Sequence, residues 1–264
     1  MTATSALEHA LRHDRLIVAI GIAGVVALSW SYLIAGAGID MSMADMPMDP
    51  EPWSLAQASL MFAMWWVMMV AMMTPSAAPM VLLFAAIKRR QAADRPLASA
   101  WLFLAGYLAI WAGFSLVAVA AQWGLDQAGL LSGMMASTST VLAGSILLAA
   151  GLYQLTPIKR ACLRYCQSPV LFLSRYWQPG AIGALRMGFR HGSYCVGCCW
   201  FLMALLFVAG VMNLVWIALV AIYVGFEKLV ARSPWLSRAA GVGLIAAGGI
   251  VLARGLLDMA PAAL

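Results

Sequence analysis

The five cysteines are the residues best suited to chemistry in this sequence, and none stands alone. Cys162 and Cys166 are four apart, while Cys195, Cys198 and Cys199 fall in the string HGSYCVGCCW, with His191 four residues before Cys195. On a helix, side chains four apart share a face, so Cys162 with Cys166, and His191 with Cys195, can each present two donors to one ion. Cys198 follows on the Cys195 face. Thiolate and imidazole donors favour copper(I) and zinc over magnesium or calcium. Buried cysteine also serves as a small hydrophobe. The gathering of all five with a histidine at the flanks of one connection points instead to metal or redox chemistry.

Methionine is the second signal, with 18 residues concentrated in two places. The stretch IDMSMADMPMDPEP sets Met41, Met43, Met46 and Met48 beside Asp40, Asp45 and Asp49, with no basic residue near. Thioethers remain donors at any pH and in an oxidising compartment, which suits capture of copper(I). In the next apolar run Met61, Met64, Met68 and Met72 share one helical face, with Met69, Met73 and Met80 on a neighbouring strip. Such a stripe is either a ladder leading copper(I) inward, with Met68 and Met72 as ligands, or flexible packing filler. Glu227, beside Lys228 at the end of a later apolar run, is the last candidate ligand. The plainer reading pairs it with Lys228 or with water. His9 and His13 read as part of a solvated N-terminal segment.

The elements that must position these residues are set by composition. The 264 residues are 64% apolar and 10% charged, with a mean hydropathy of +0.90, whereas soluble domains are about half apolar and about one quarter charged. A chain this poor in charge needs lipid as part of its solvent. Its apolar runs are unbroken for about 20 residues, as in membrane helices, rather than alternating as in β-barrels. The expected fold is therefore an all-α, polytopic transmembrane bundle forming a single domain over residues 1–264. About seven spans are expected: Leu16 to Gly38, Ser59 to Ile87, Ala98 to Gln122, Thr138 to Pro157, Tyr194 to Met212, Leu214 to Phe226, and Ala239 to Leu257. The first run lacks a small-residue cleavage site and reads as a span rather than a leader.

Basic residues fall in alternate connections: Arg12 and Arg15; Lys88, Arg89, Arg90 and Arg95; Lys159 through Arg190; then Lys228, Arg232 and Arg238. The intervening connections carry Asp40, Asp45, Asp49, Glu51 and Asp126 instead. The positive-inside rule then puts the N-terminus in the cytoplasm, the Met-rich loop 39–52 outside and the basic loop 158–193 inside. Arg254 is the one mismatch. This placement also explains the net charge of +6 without nucleic acid. Pro75 and Pro79 predict a kink near Thr74 to Met80. Trp65 and Trp66 fit either an interfacial belt or the bundle interior, and Val170 to Leu173 reads as an amphipathic element on the inner leaflet.

Three strings together resemble a bacterial family of predicted metal-binding integral membrane proteins, catalogued as domain of unknown function 2182 and sometimes labelled copper chaperones. They are WWVMMVAMMTPSAAPM from Trp65, YQLTPIKRACLRYCQSP from Tyr153, and HGSYCVGCCWFLMALLFVAGVMNLVWIA from His191, followed by FEKL from Phe226. The resemblance implies a membrane protein with a metal site, and Cys162, Cys166, His191, Cys195, Cys198, Cys199 and Glu227 are the positions matching the family's motif.

The expected function is copper(I) handling in a bacterial inner membrane. The outer methionines collect the ion, and the inner thiolates hold it for a soluble metallochaperone or a copper enzyme under assembly. No hydrolytic motif, Walker-type loop or phosphorylated-aspartate motif occurs, so neither an enzyme nor an ATP-driven pump is expected. Two alternatives stay open: a membrane thiol-disulfide oxidoreductase using Cys195 with Cys198, and an assembly subunit whose cysteines bind zinc to pin the inner loop.

Overall fold

The computed structural model describes residues 3–37, 53–91, 96–132, 135–230 and 234–259. The Met-rich stretch with Met41, Met43, Met46 and Met48 lies outside them. Among the described residues there are ten helices and no strand: α1 (Ala3–Ile34), α2 (Leu55–Arg90), α3 (Pro96–Gln127), α4 (Thr140–Leu155), α5 (Pro157–Gln167), α6 (Pro169–Tyr176), α7 (Gly180–Ala204), α8 (Leu206–Ala209), α9 (Leu214–Leu229) and α10 (Trp235–Met259). Helix starts follow local chemistry. Ser54, Ser139, Thr156, Ser168 and Asn213 each accept a backbone N–H of the first turn, the usual N-cap device. Pro157 and Pro169 stand just inside α5 and α6, where the missing amide costs nothing. Lys88, Arg89 and Arg90 close α2, where positive charge suits the carbonyl end of the helix.

By length and composition, five helical segments among the described residues can cross a membrane: Leu16–Ile34, Leu55–Arg90, Leu97–Gln127, Gly180–Ala209 and Trp235–Leu257. A sixth is Thr140–Leu155 with Pro157–Gln167, if that pair, bent by 68°, is one span. The expected sixth span forms α9, which has 16 residues and is ~24 Å long at about 1.5 Å per residue, short of a bilayer core of roughly 30 Å.

The expected elements gain detail in three places. The basic connection 158–193 is largely helical, and α7 begins at Gly180, well before Tyr194. Arg186 and Arg190 interrupt the apolar run but do not oppose helix, which is a backbone property. In the short helix α6, Phe172 and Leu173 are buried while Val170 is exposed. α2 runs as one helix through Pro75 and Pro79. The two prolines leave the carbonyls of Ala71 and Pro75 without their usual intrahelical donors.

The helices pair as α1 with α2, α2 with α3 and α9, α3 and α5 with α7, and α4 with α10. Glycine sets the closest of these approaches. A Cβ on Gly151 would lie 2.7 Å from the Gly241 carbonyl oxygen, and one on Gly248 would lie 2.7 Å from the Leu148 nitrogen. Gly188 of α7 packs directly on the Phe103 carbonyl of α3. Small residues allow this backbone contact in membrane bundles, where dispersion rather than water expulsion holds helices together. The core centres on α2, whose Met61, Met64, Met68, Met69, Met72, Met73 and Met80 are all buried. Trp65 is interior, fully buried against Phe207.

Candidate metal centre

Five helices deliver side chains to one buried place. α7 contributes Cys195, Cys198 and Cys199, α5 contributes Cys166, α2 contributes Met73 and Ser76, α3 contributes Tyr107, and α9 contributes Lys228. Cys195 lies at the centre: Lys228 Nζ donates to its sulfur at 2.9 Å, and the Tyr107 hydroxyl is 3.1 Å away. The same ammonium lies 3.9 Å from Cys199 Sγ, 3.8 Å from Met73 Sδ and 3.4 Å from Ser76 Oγ. Three sulfurs of two kinds therefore surround a single cation.

Local helix geometry aims the thiols. Cys198 and Cys199 donate to the Cys195 carbonyl at 3.1 and 2.8 Å, the back-bonding available to a short polar side chain on a helix. Cys199 then reaches Met73 Sδ at 3.9 Å, and Cys198 reaches Cys166 Sγ at 3.9 Å. Tyr107 is held from its other side, donating to the Met73 carbonyl at 3.1 Å. The five cysteines are free thiols.

Burial is graded along this set. Cys199, Cys198 and Cys195 are 0, 1 and 2% exposed, Cys166 is 8% exposed, and Cys162 is only half-buried. Cys162 packs against α7 at Gly197, where an added Cβ would come within 2.9 Å of its sulfur. The sulfurs thus step outward from the bundle centre along α5.

His191, one turn before Cys195, is buried among Phe172, Tyr107 and Phe103 at ring distances of 5.2, 5.6 and 6.0 Å. Its Nδ1 has no hydrogen-bond partner, an uncommon condition for a buried polar atom. Tyr107 links its ring to the sulfur cluster.

Glu227 does not pair with Lys228. Both its carboxylate oxygens accept from Lys159 Nζ at 2.7 Å, and Tyr223 and Ser237 add hydrogen bonds at 3.1 and 2.6 Å. Lys159 and Glu227 are 0 and 1% exposed. Gln167 donates to the Glu227 carbonyl at 2.9 Å, so α5 is tied to α9 at two points. Adjacent helical residues project about 100° apart, which sends Glu227 toward α5 and Lys228 toward the sulfurs.

Cys166, Cys195, Cys198 and Cys199 therefore meet, with Cys162 at their edge. Met68 and Met72 are buried in the core, but Met73 of the neighbouring strip is the methionine in contact with the thiols. Among the described residues no group of three or more His, Cys, Asp or Glu side chains is arranged to hold one ion. The convergent set is mixed, two thiols with a thioether around Lys228. Nothing in the sequence points to Tyr107, and Met73 and Lys228 stand out there only as a member of the second Met strip and as a neighbour of Glu227.

Comparison with known proteins gives one family. A model described as PpoB2, copper chaperone, matches residues 62–251, well over half of the chain, and the protein belongs to that family. No curated protein and no solved structure matches it.

Proposed function

We propose that this member of a copper chaperone family is an integral membrane protein that binds copper(I) through sulfur and passes it on at its inner face. The carrying observation is the cluster around Lys228: Cys195, Cys199 and Met73 sulfurs lie 2.9, 3.9 and 3.8 Å from one ammonium. A cation already occupies the centre of a soft donor set, and copper(I) is the biological cation that such donors prefer. On loading, the ammonium gives way to the ion. Cys198 and Cys166 form the next sulfur pair, and half-buried Cys162 is the terminus from which a partner with exposed thiols takes the ion by ligand exchange. The unpartnered His191 nitrogen supports a reserve ligand beside this route.

In this reading α4 with α5, and α9, complete about seven spans, with the N-terminus cytoplasmic and the membrane a bacterial inner membrane. The basic ends of α2 and α5 then face the cytoplasm, where thiols stay reduced. Met41, Met43, Met46 and Met48 collect the ion on the outer side, and the buried stripe through Met68 and Met72 leads toward Met73. Partners are membrane lipid and a soluble metallochaperone or a copper enzyme under assembly.

The test is anaerobic copper(I) binding by the purified chain against a chromogenic chelator that outcompetes thioethers but not clustered thiolates. The wild type keeps chelator-resistant copper(I), and Cys195→Ser with Cys198→Ser loses it. Equal retention by both proteins would refute the reading.

A further inference from the structure

Two further sulfurs meet near the N-terminal end of α2, away from the cysteine cluster at its middle. The Gln122 side chain of α3 is 2% exposed, and its amide nitrogen lies 3.5 Å from Met61 Sδ and 3.2 Å from Met135 Sδ. Its amide oxygen accepts the Trp65 indole N–H at 2.6 Å, which fixes the amide's orientation. The nitrogen is therefore directed at two thioethers, which are weak acceptors. Two sulfurs from different elements converge on one small, buried polar point.

Met135 reaches that point at a backbone cost. Its φ is 55°, the left-handed region that non-glycine residues seldom enter. The turn that holds it is closed by Met135 N–H to the Ser132 carbonyl at 2.7 Å, Ser132 N–H to the Ala136 carbonyl at 2.8 Å, and the isolated bridge between Leu131 and Ser137. Strain of this kind persists where the surrounding structure over-determines it, and it gathers at functional sites.

We propose that Met61 and Met135, bordered by Trp65 and Gln122, form a second binding site for a soft monovalent cation, copper(I) or its analogue silver(I). Thioether donors select such ions over hard cations. The cation takes the place of the Gln122 amide nitrogen between the two sulfurs. Met61 stands twelve residues before Met73 on the same helix, ~18 Å along its axis. The site is thus distinct from the cysteine cluster and does not depend on it.

The experiment uses silver(I), with metal content measured on the full-length protein in detergent after gel filtration. Met61→Leu with Met135→Leu, a nearly volume-conserving pair, lowers bound silver by one ion per chain. The loss is the same in a background of Cys195→Ser with Cys198→Ser, which separates this site from the cysteine reading. Unchanged stoichiometry in the methionine pair overturns the proposal. The wild-type chain gives a second readout that needs no variant: silver(I) slows peroxide oxidation of Met135 to its sulfoxide, measured by peptide mass spectrometry. Equal oxidation with and without silver(I) overturns it too.

Discussion

Removing one partner of the Lys159–Glu227 pair perturbs both the fold and the sulfur route. The two side chains are 0 and 1% exposed and joined at 2.7 Å through both carboxylate oxygens. Glu227→Gln leaves a buried ammonium without its counter-charge, and Lys159→Met leaves a carboxylate held only by Tyr223 and Ser237. Breaking a buried pair in this way costs about 3–5 kcal/mol. Lys159→Met with Glu227→Gln removes both charges, so the remaining cost is the hydrogen bonds that the neutral amide cannot replace among Tyr223 and Ser237, about 2 kcal/mol in all. The double variant is therefore no less stable than either single one, and the coupling energy is at least about 4 kcal/mol. SDS-induced unfolding in mixed micelles, followed by tryptophan fluorescence, measures all four proteins. A functional effect accompanies the loss: Lys159 and Cys166 are seven residues apart on α5, on one face, so freeing Lys159 loosens Cys166 from Cys198 and weakens chelator-resistant copper(I). Additive single effects, or a cost below about 1 kcal/mol for Glu227→Gln, would refute the reasoning.

Three further outcomes follow from the same geometry. Lys228→Met removes the cation from the centre of the sulfur cluster and raises copper(I) affinity at least tenfold in chelator competition; an unchanged or lower affinity contradicts the view that the ammonium holds the ion's place. His191→Phe keeps the aromatic packing against Phe172 and Tyr107, so unfolding shifts by less than about 1 kcal/mol; copper(I) binding falls only if the unpartnered nitrogen is a ligand. Gly151→Ala drives a methyl group into the Gly241 carbonyl and the Ile245 backbone, contacts of 2.7 and 2.8 Å, and costs about 1–3 kcal/mol in the same unfolding assay.

Hydropathy was enough to locate the long helices, because a span of apolar residues is a one-dimensional signal. It missed the start of α7, since Arg186 and Arg190 lower hydropathy over a stretch that is helical from Gly180 onward. Cysteine spacing placed Cys195, Cys198 and Cys199 on one helix, but their meeting with Cys166 depends on α5 folding back against α7, which no local pattern encodes. The Met stripe was legible as a stripe. Which strip faces the thiols is fixed by the rotation of α2 in the bundle, and that rotation chose Met73 over Met68 and Met72. Glu227 and Lys228 read as a neighbouring pair because sequence distance is short; on the helix they diverge, and each finds its partner on another element. Family membership agrees with copper handling, while the individual ligands are proposals from geometry.

X-ray absorption at the copper edge of the copper(I)-loaded protein tests the central claim most directly. Sulfur alone should fill the metal's nearest coordination sphere, and Cys195→Ser should alter that spectrum. A sphere dominated by nitrogen or oxygen, or a spectrum unchanged by Cys195→Ser, would contradict it.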